Sequence, residues 1–184
     1  MARVLIPLAE GCEELEAVTL IDLLRRADIE VVTAGLHEGP IKASRGTVLL
    51  PDTSLAAVAG EDFDMVILPG GQLGAKHLDE DARVHDLLKR HHASDRYTAA
   101  ICAAPRVLAN AGLLDGRTAT WYPGALAEQE YPRVDMLTTP VVVDGKVVTS
   151  RGPGTAIDFA LTLIGLLLDP ARRDAVERQL QREP

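Results

Sequence analysis

Tyr97-Thr98-Ala99-Ala100-Ile101-Cys102-Ala103-Ala104-Pro105-Arg106-Val107-Leu108-Ala109-Asn110-Ala111-Gly112 is the stretch whose reading decides the fold. Its first six residues form a short apolar run bounded by polar sequence, the pattern of a buried strand. Pro105 suits the first turn of a helix, where its missing N–H costs nothing, so a helix is expected from about Ala104 to Ala111, closed by Gly112. A buried strand that passes directly into a helix is the repeating unit of a mainly parallel sheet covered on both faces. In such sheets ligands gather beyond the carboxyl ends of the strands, and Cys102 sits at one of these ends.

The same alternation extends in both directions. Toward the amino end, Asp64 to Leu68 reads as a strand running into Pro69-Gly70-Gly71, with a polar helix from about Asp79 to His92 after it. Before it, Arg3 to Leu8 reads as a strand, Glu13 to Arg26 as a helix with Leu15, Val18, Leu20, Leu23 and Leu24 at helical spacing, and Ile29 to Thr33 as a strand. Ile41 to Pro51 carries a turn at Arg45-Gly46 between two extended pieces, a small β-hairpin excursion. Toward the carboxyl end come a short strand, Thr118 to Trp121, and two valine-rich runs flanking Asp144-Gly145, a two-residue hairpin signal. Thr155 with Asp158 resembles a capping box opening a helix to Leu168, and Asp169-Pro170 starts a last amphipathic helix. The fold class expected is α/β, in one domain over residues 1–184 without a linker.

Composition narrows the function. A formal net charge of -8 argues against direct nucleic-acid binding, which needs clustered Lys and Arg to displace counterions. The apolar stretch Ala160 to Leu168 is too short to cross a bilayer, and the amino terminus lacks the pattern of a signal peptide, so a cytoplasmic protein without membrane contact is expected. Cys12 and Cys102 are the two cysteines, too sparse for a disulfide framework. Neither a dinucleotide fingerprint nor a phosphate loop follows Gly70-Gly71, and the five histidines lack the spacing of a zinc site, so no cofactor and no metal is expected.

Spacing alone leaves two readings of Cys102: a nucleophile lifted out of the sheet on a sharp turn, its thiolate favoured by the helix start, or a small residue filling space. Glu13, Glu14 and Glu16 crowd the first helix start, where they form a solvated face or turn one carboxyl inward to trade protons with the thiol. Gly70-Gly71 is an ordinary tight turn or a place where backbone N–H groups meet an oxyanion. Cys12 is a secondary, oxidisable thiol. No histidine follows Cys102, which removes the downstream partner of a common triad.

Four segments together resemble the ThiJ/PfpI superfamily (class I glutamine amidotransferase-like), in the branch of the parkinsonism-associated protein deglycase (DJ-one): Gly11-Cys12-Glu13-Glu14-Leu15-Glu16, Leu68-Pro69-Gly70-Gly71, Ala100-Ile101-Cys102-Ala103 and Thr149-Ser150-Arg151-Gly152-Pro153-Gly154-Thr155. The resemblance implies a flavodoxin-like three-layer sandwich and a homodimer with the first helix across its two-fold axis. It makes Cys102 the nucleophile, Glu16 a buried protonated glutamate, and Gly71 and Ala103 the backbone donors beside the sulfur. Gly70, Tyr122, Arg26 and Arg45 become substrate-adjacent candidates. Two positions depart from other branches: Ala103 stands where the protease-like branch has histidine, and Tyr122 where the human protein's branch has one, as in bacterial members lacking it. The implied activity is glutathione-independent conversion of 2-oxoaldehydes such as methylglyoxal to 2-hydroxy acids, or deglycation of proteins or nucleotides. The alternative is an oxidative-stress sensor and chaperone that works through oxidation of Cys102. Proteolysis and amide transfer lack their histidine.

Overall fold

A computed structural model describes residues 1–182. Strand Arg3–Leu8 (β1) leads through helix Glu14–Arg26 (α1) to Glu30–Gly35 (β2), parallel to β1 with Arg3 opposite Glu30 and Leu8 opposite Gly35. An antiparallel hairpin of Ile41–Lys42 (β3) and Val48–Leu49 (β4) follows, then Thr53–Ser54 (β5) and the one-turn helix Leu55–Val58 (α2). Met65–Leu68 (β6) runs into two helices, Gln72–Glu80 (α3) and Ala82–Ala93 (α4), and Tyr97–Ile101 (β7) into Pro105–Asn110 (α5). Thr118–Ala119 (β8) and Asp135–Met136 (β9) pair with each other outside the main sheet. Val141–Asp144 (β10) and Val147–Ser150 (β11) form an antiparallel hairpin in which Asp144 pairs with Val147, so its two-residue loop is Gly145-Lys146 rather than the expected Asp144-Gly145; Ala156–Leu167 (α6) and Pro170–Gln179 (α7) follow.

The main sheet has seven strands in the order β10-β11-β7-β6-β1-β2-β5, all parallel except β10. Read from β2, its middle five strands follow the flavodoxin-like order, which reverses direction between β1 and β6 and opens a crevice there. Side chains alternate between the faces. Val4, Ile6, Met65, Ile67, Ala99 and Ile101 pack under α1 and α6, where Leu20, Leu24, Phe159 and Leu163 are buried. Leu5, Val66, Leu68 and Ala100 pack under α3, α4 and α5 with Leu78, Leu87 and Val107. Each such fully buried Leu or Ile contributes about 1.5–3 kcal/mol, which is why the strands read as continuous apolar runs. Among the described residues no helix is long and apolar enough to cross a membrane.

Two further expectations need correction. The polar helix expected over 79–92 is two helices, and the first begins at Gln72, directly after the glycine pair. Gly74 inside it hides the helical pattern, because glycine is a poor helix former. The break falls at Asp81, whose extended backbone and side chain, accepting the Arg83 N–H at 2.9 Å, cap α4. The capping box of Thr155 and Asp158 does not form. Thr155 ends a single 3-10 turn, Pro153–Thr155, and its hydroxyl accepts the Gly152 N–H at 3.1 Å, while Asp158 pairs with Arg182.

Candidate active site

β7 ends at Ile101, and Cys102 has φ +65, a left-handed conformation that a side chain adopts only at a cost of about 1–3 kcal/mol. Neighbours hold it there: the Cys102 N–H donates to Ser150 O at 3.0 Å at the end of β11, and Cys102 O accepts the Tyr122 N–H at 2.9 Å. The turn drives the sulfur out of the sheet at its carboxyl edge, 8% exposed, into a cavity of about 560 Å³. Leu73, Ala103, Pro153 and the hairpin residues Lys42 to Arg45 form much of its wall.

Glu16 reaches the same point from α1. The N-terminal cap of α1 is Glu13, whose carboxylate accepts the Glu16 N–H at 2.9 Å and fixes the first turn. The Glu16 side chain is fully buried, and its Oε2 accepts the Gly70 N–H at 2.8 Å. Its Oε1 is buried without a hydrogen-bond partner among the described residues, while the Cys102 thiol is a neighbour of the carboxyl group. Burial therefore pushes the Glu16 carboxyl up to about 7, against the pull of the Gly70 N–H and the thiol.

Burial, the charge of Glu16 and the hydrogen bond to it push the Cys102 thiol up to about 12, opposed by the N–H groups of Gly71 and Ala103. One of the two sequence readings of Cys102 has the helix start favour its thiolate. The structure corrects this, because α5 is only six residues long and the sulfur is nearly dry. Two of the three upward causes act through Glu16. A protonated Glu16 exerts no repulsion and offers its own O–H to the sulfur, so thiol–carboxylate and thiolate–carboxylic acid are two forms of one charge state sharing one proton.

Glycines make this proximity possible. A Cβ on Gly70 would lie 2.6 Å from Cys102 Cβ and 2.6 Å from Glu16 Oε2, and one on Gly71, at φ +88, 2.4 Å from Gly11 O. Gly74 is pressed equally hard against the backbone of Cys12. These glycines let the loops after β1 and β6 touch backbone to backbone and carry Glu16 and Cys102 together.

Of the residues singled out in sequence, Cys102, Glu16, Gly70, Gly71 and Ala103 meet around the sulfur, and Tyr122 and Arg45 line the cavity. Arg26 does not. It lies ten residues along α1 from Glu16, about 15 Å of helical rise, and pairs with Asp22 at 2.8 Å. Cys12 is fully buried and pushed up to about 11 by burial and the neighbouring glutamates, a packed thiol rather than an accessible one.

Sequence reasoning grouped Glu14 with its neighbours at the helix start and missed its contact with the hairpin. Its carboxylate accepts the Arg45 N–H at 2.9 Å, the Ser44 hydroxyl at 3.0 Å and the Thr47 N–H at 3.4 Å. Despite a desolvation cost, these donors and its own N–H hold it down at about 2. Glu14 thus clasps the β3–β4 hairpin against the cavity. The contact spans some thirty residues, so no local pattern announces it.

The site thus joins a flavodoxin-like α/β sandwich, a strained cysteine elbow and a buried carboxyl beside the sulfur. The chain matches the DJ-1/PfpI family over residues 2–166 and belongs to it. It is 48% identical to protein dj-1beta of Drosophila melanogaster over 162 residues, 86% of each chain. The crystal structure of Drosophila melanogaster DJ-1beta superposes with a TM-score of 0.94, covering 100% of this chain and 99% of that one at 41% identity. An oxidized DJ-1 of Toxoplasma gondii superposes at 0.92, with 37% identity and all of both chains covered. The glutathione-independent glyoxalase DJR-1.2 of Caenorhabditis elegans is 34% identical over 181 residues, 97% of this chain and 95% of its own.

Proposed function

We propose that this chain is a cofactor-free glyoxalase that converts 2-oxoaldehydes such as methylglyoxal to 2-hydroxy acids without glutathione. The observation that carries the reading is the fully buried Glu16 carboxyl beside the Cys102 thiol, raised to about 7 so that it both gives and takes a proton near neutral pH. The Cys102 sulfur, its proton passing to Glu16, attacks the aldehyde carbon, and Glu16 hands that proton to the new oxyanion to complete a hemithioacetal. The N–H groups of Gly71 and Ala103, which already act on the sulfur, would donate to the oxyanion as it develops. Glu16 then removes the proton from the former aldehyde carbon and returns one to the adjacent carbon, giving a thioester of lactate. Water attack on that thioester releases lactate and restores the thiol. The sum is methylglyoxal plus water to lactate, with no redox partner. The same first step on a glycated amine would make the protein a deglycase.

A homologue named a glutathione-independent glyoxalase supports this reading. Two free cysteines suit a reducing, cytoplasmic setting. Leu15 and Val18, half exposed on α1, suit a homodimer. The test is lactate formation from methylglyoxal by purified protein without glutathione, wild type beside Cys102→Ser and Glu16→Gln. Catalytic turnover that both substitutions abolish is expected; wild-type lactate no higher than the Cys102→Ser background removes the proposal.

The second reading is a redox sensor. The donors that would face an oxyanion would equally hold the oxygens of a sulfinate on Cys102, and an oxidized relative has the same fold. Intact mass after peroxide separates the two: a sensor keeps a stable two-oxygen adduct and its altered state, whereas an enzyme regains its thiol in each cycle.

A further inference from the structure

Both backbone hydrogen bonds of the strained Cys102 end on residues that one turn keeps in place. Its N–H donates to Ser150 O at 3.0 Å, and its carbonyl accepts the Tyr122 N–H at 2.9 Å. Ser150 is the last residue of β11 and is fully buried. The turn beyond it, Pro153–Thr155, supplies Pro153 to the cavity wall. The approach to that turn also backs Tyr122: a Cβ on Gly152 would lie 3.1 Å from Tyr122 Cδ2, so the ring rests on bare backbone there. On the other side of Ser150, Thr149 Oγ1 accepts the Thr120 N–H at 2.9 Å and ties the segment before Tyr122 to β11.

Two hydroxyls join the strand end to the turn. Ser150 Oγ and Thr155 Oγ1 lie 2.7 Å apart. Each has one hydrogen and a carbonyl at hand: Pro140 O is 2.9 Å from Ser150 Oγ, and Gly152 O is 2.9 Å from Thr155 Oγ1. Whichever hydroxyl donates across the pair, the one that receives donates onward to its own carbonyl, so the link is kept in both directions. Thr155 Oγ1 also accepts the Gly152 N–H at 3.1 Å, and Pro140 O the Arg151 N–H at 3.1 Å. Chained hydrogen bonds away from water polarise and strengthen one another. Neither Ser150 nor Thr155 is among the described residues that line the cavity, so whatever they do for the reaction passes through the elbow.

We infer that Ser150 and Thr155 are positioning residues for the reaction at Cys102: their paired hydroxyls lock the end of β11 to the 152–155 turn, and through Ser150 O and Tyr122 that lock holds the cysteine elbow in register with Glu16. A left-handed backbone at a non-glycine residue persists only where its surroundings over-determine it. Once untied, the elbow relaxes toward an ordinary conformation and carries the sulfur and the Ala103 N–H away from the Glu16 carboxyl. Proton exchange with Glu16 and attack by the sulfur both depend on that geometry, and small misplacements are costly. The inference rests on the glyoxalase reading for its effect on turnover and on the elbow alone for its effect on the thiol.

Three variants test it. Thr155→Val removes one hydroxyl at nearly constant volume, Ser150→Ala removes the other, and Thr155→Ser keeps the hydroxyl on a smaller side chain. Alkylation of Cys102 by iodoacetamide is followed on its peptide by mass across the neutral pH range, beside methylglyoxal kinetics and urea unfolding. In Thr155→Val and Ser150→Ala the alkylation rate at neutral pH should fall about fivefold or more with a displaced pH profile, and kcat about tenfold with KM little changed. Thr155→Ser should restore both. The double variant should lose no more than the worse single one, because one link is broken either way. An alkylation profile identical to wild type in both hydroxyl-less variants overturns the inference, whatever happens to stability; so does a loss that Thr155→Ser fails to restore, which traces to packing, and so does full additivity in the double variant. If Thr155→Val does not fold, Ser150→Ala, the smaller change, decides. If wild type turns over no 2-oxoaldehyde yet the profile moves in the variants, the reaction is misassigned and the positioning role stands. If methylglyoxal turns over and neither profile nor kcat moves, the positioning role alone is refuted.

Discussion

Cys102 occupies a backbone conformation that a non-glycine residue takes only at a cost, and its sulfur lies against a carboxyl group that burial keeps close to neutral. Gly70 sets how near the two approach. Because a methyl group there would meet Cys102 Cβ, Glu16 Oε2 and Ile101 O within 2.8 Å, two of them on rigid backbone or at its root, Gly70→Ala must displace the elbow. We expect it to cost about 1–3 kcal/mol in a denaturant titration and to reduce Cys102 alkylation and any methylglyoxal turnover together. Wild-type stability with wild-type reactivity would show that the loop yields freely and that the close approach is incidental.

The β3–β4 hairpin is two residues paired with two, too short to hold itself, and its tip depends on Glu14 at the start of α1. Glu14→Ala should raise amide hydrogen exchange over residues 43–47 while leaving exchange in β1, β6 and β7 unchanged; protection retained at the tip would show that the hairpin does not need the clasp. This element also marks where sequence stops being informative. The apolar runs at Arg3–Leu8, Met65–Leu68 and Tyr97–Ile101 were legible because parallel strands are buried on both faces. The Asp144-Gly145 signal marked the hairpin but not its register: Asp144 pairs with Val147, so the loop is Gly145-Lys146, and Gly145, at φ +60, is the residue its backbone demands. Cys102 and Glu16 were legible as candidates from their place at strand and helix ends, and as a pair from the family resemblance. The clasp of Glu14, the cavity position of Lys42 and the departure of Arg26 from the site depend on contacts distant in sequence, which periodicity does not encode. The raised thiol was hidden for a related reason: helix starts are visible in a sequence, whereas burial of a particular sulfur is set by three loops at once.

For the whole molecule, the buried Glu16 links stability to pH. Its folded value of about 7 lies above its ordinary 4.5, so its contribution is fully present below pH 4.5 and is lost as pH rises through 7. At about 1.4 kcal/mol for each pH unit, the loss is about 3.5 kcal/mol at most. Glu16→Gln cannot ionise, so its stability relative to wild type should climb between pH 5 and pH 8 in chemical denaturation; a difference independent of pH would mean that Glu16 is ionised throughout. His91 acts with the opposite slope. Burial, and then Arg90 and Arg96, hold it below its ordinary 6.5, so its contribution is present above that value and is lost as pH falls. Assembly is tested at the same scale. If α1 lies across a two-fold axis, Leu15→Glu/Val18→Glu should convert a dimer in light scattering to a monomer with the fold retained by circular dichroism; a wild type that is monomeric at micromolar concentration would refute that arrangement.

The account turns on Glu16 and Cys102 sharing one proton, and the most direct test is the pH dependence of Cys102 alkylation by iodoacetamide in wild type and Glu16→Gln. The wild-type rate should rise through a step near pH 7, where the pair loses its first proton, and that step should vanish in Glu16→Gln, leaving only the ionisation of the thiol itself. The same midpoint in both proteins would contradict the shared proton and the mechanism built on it.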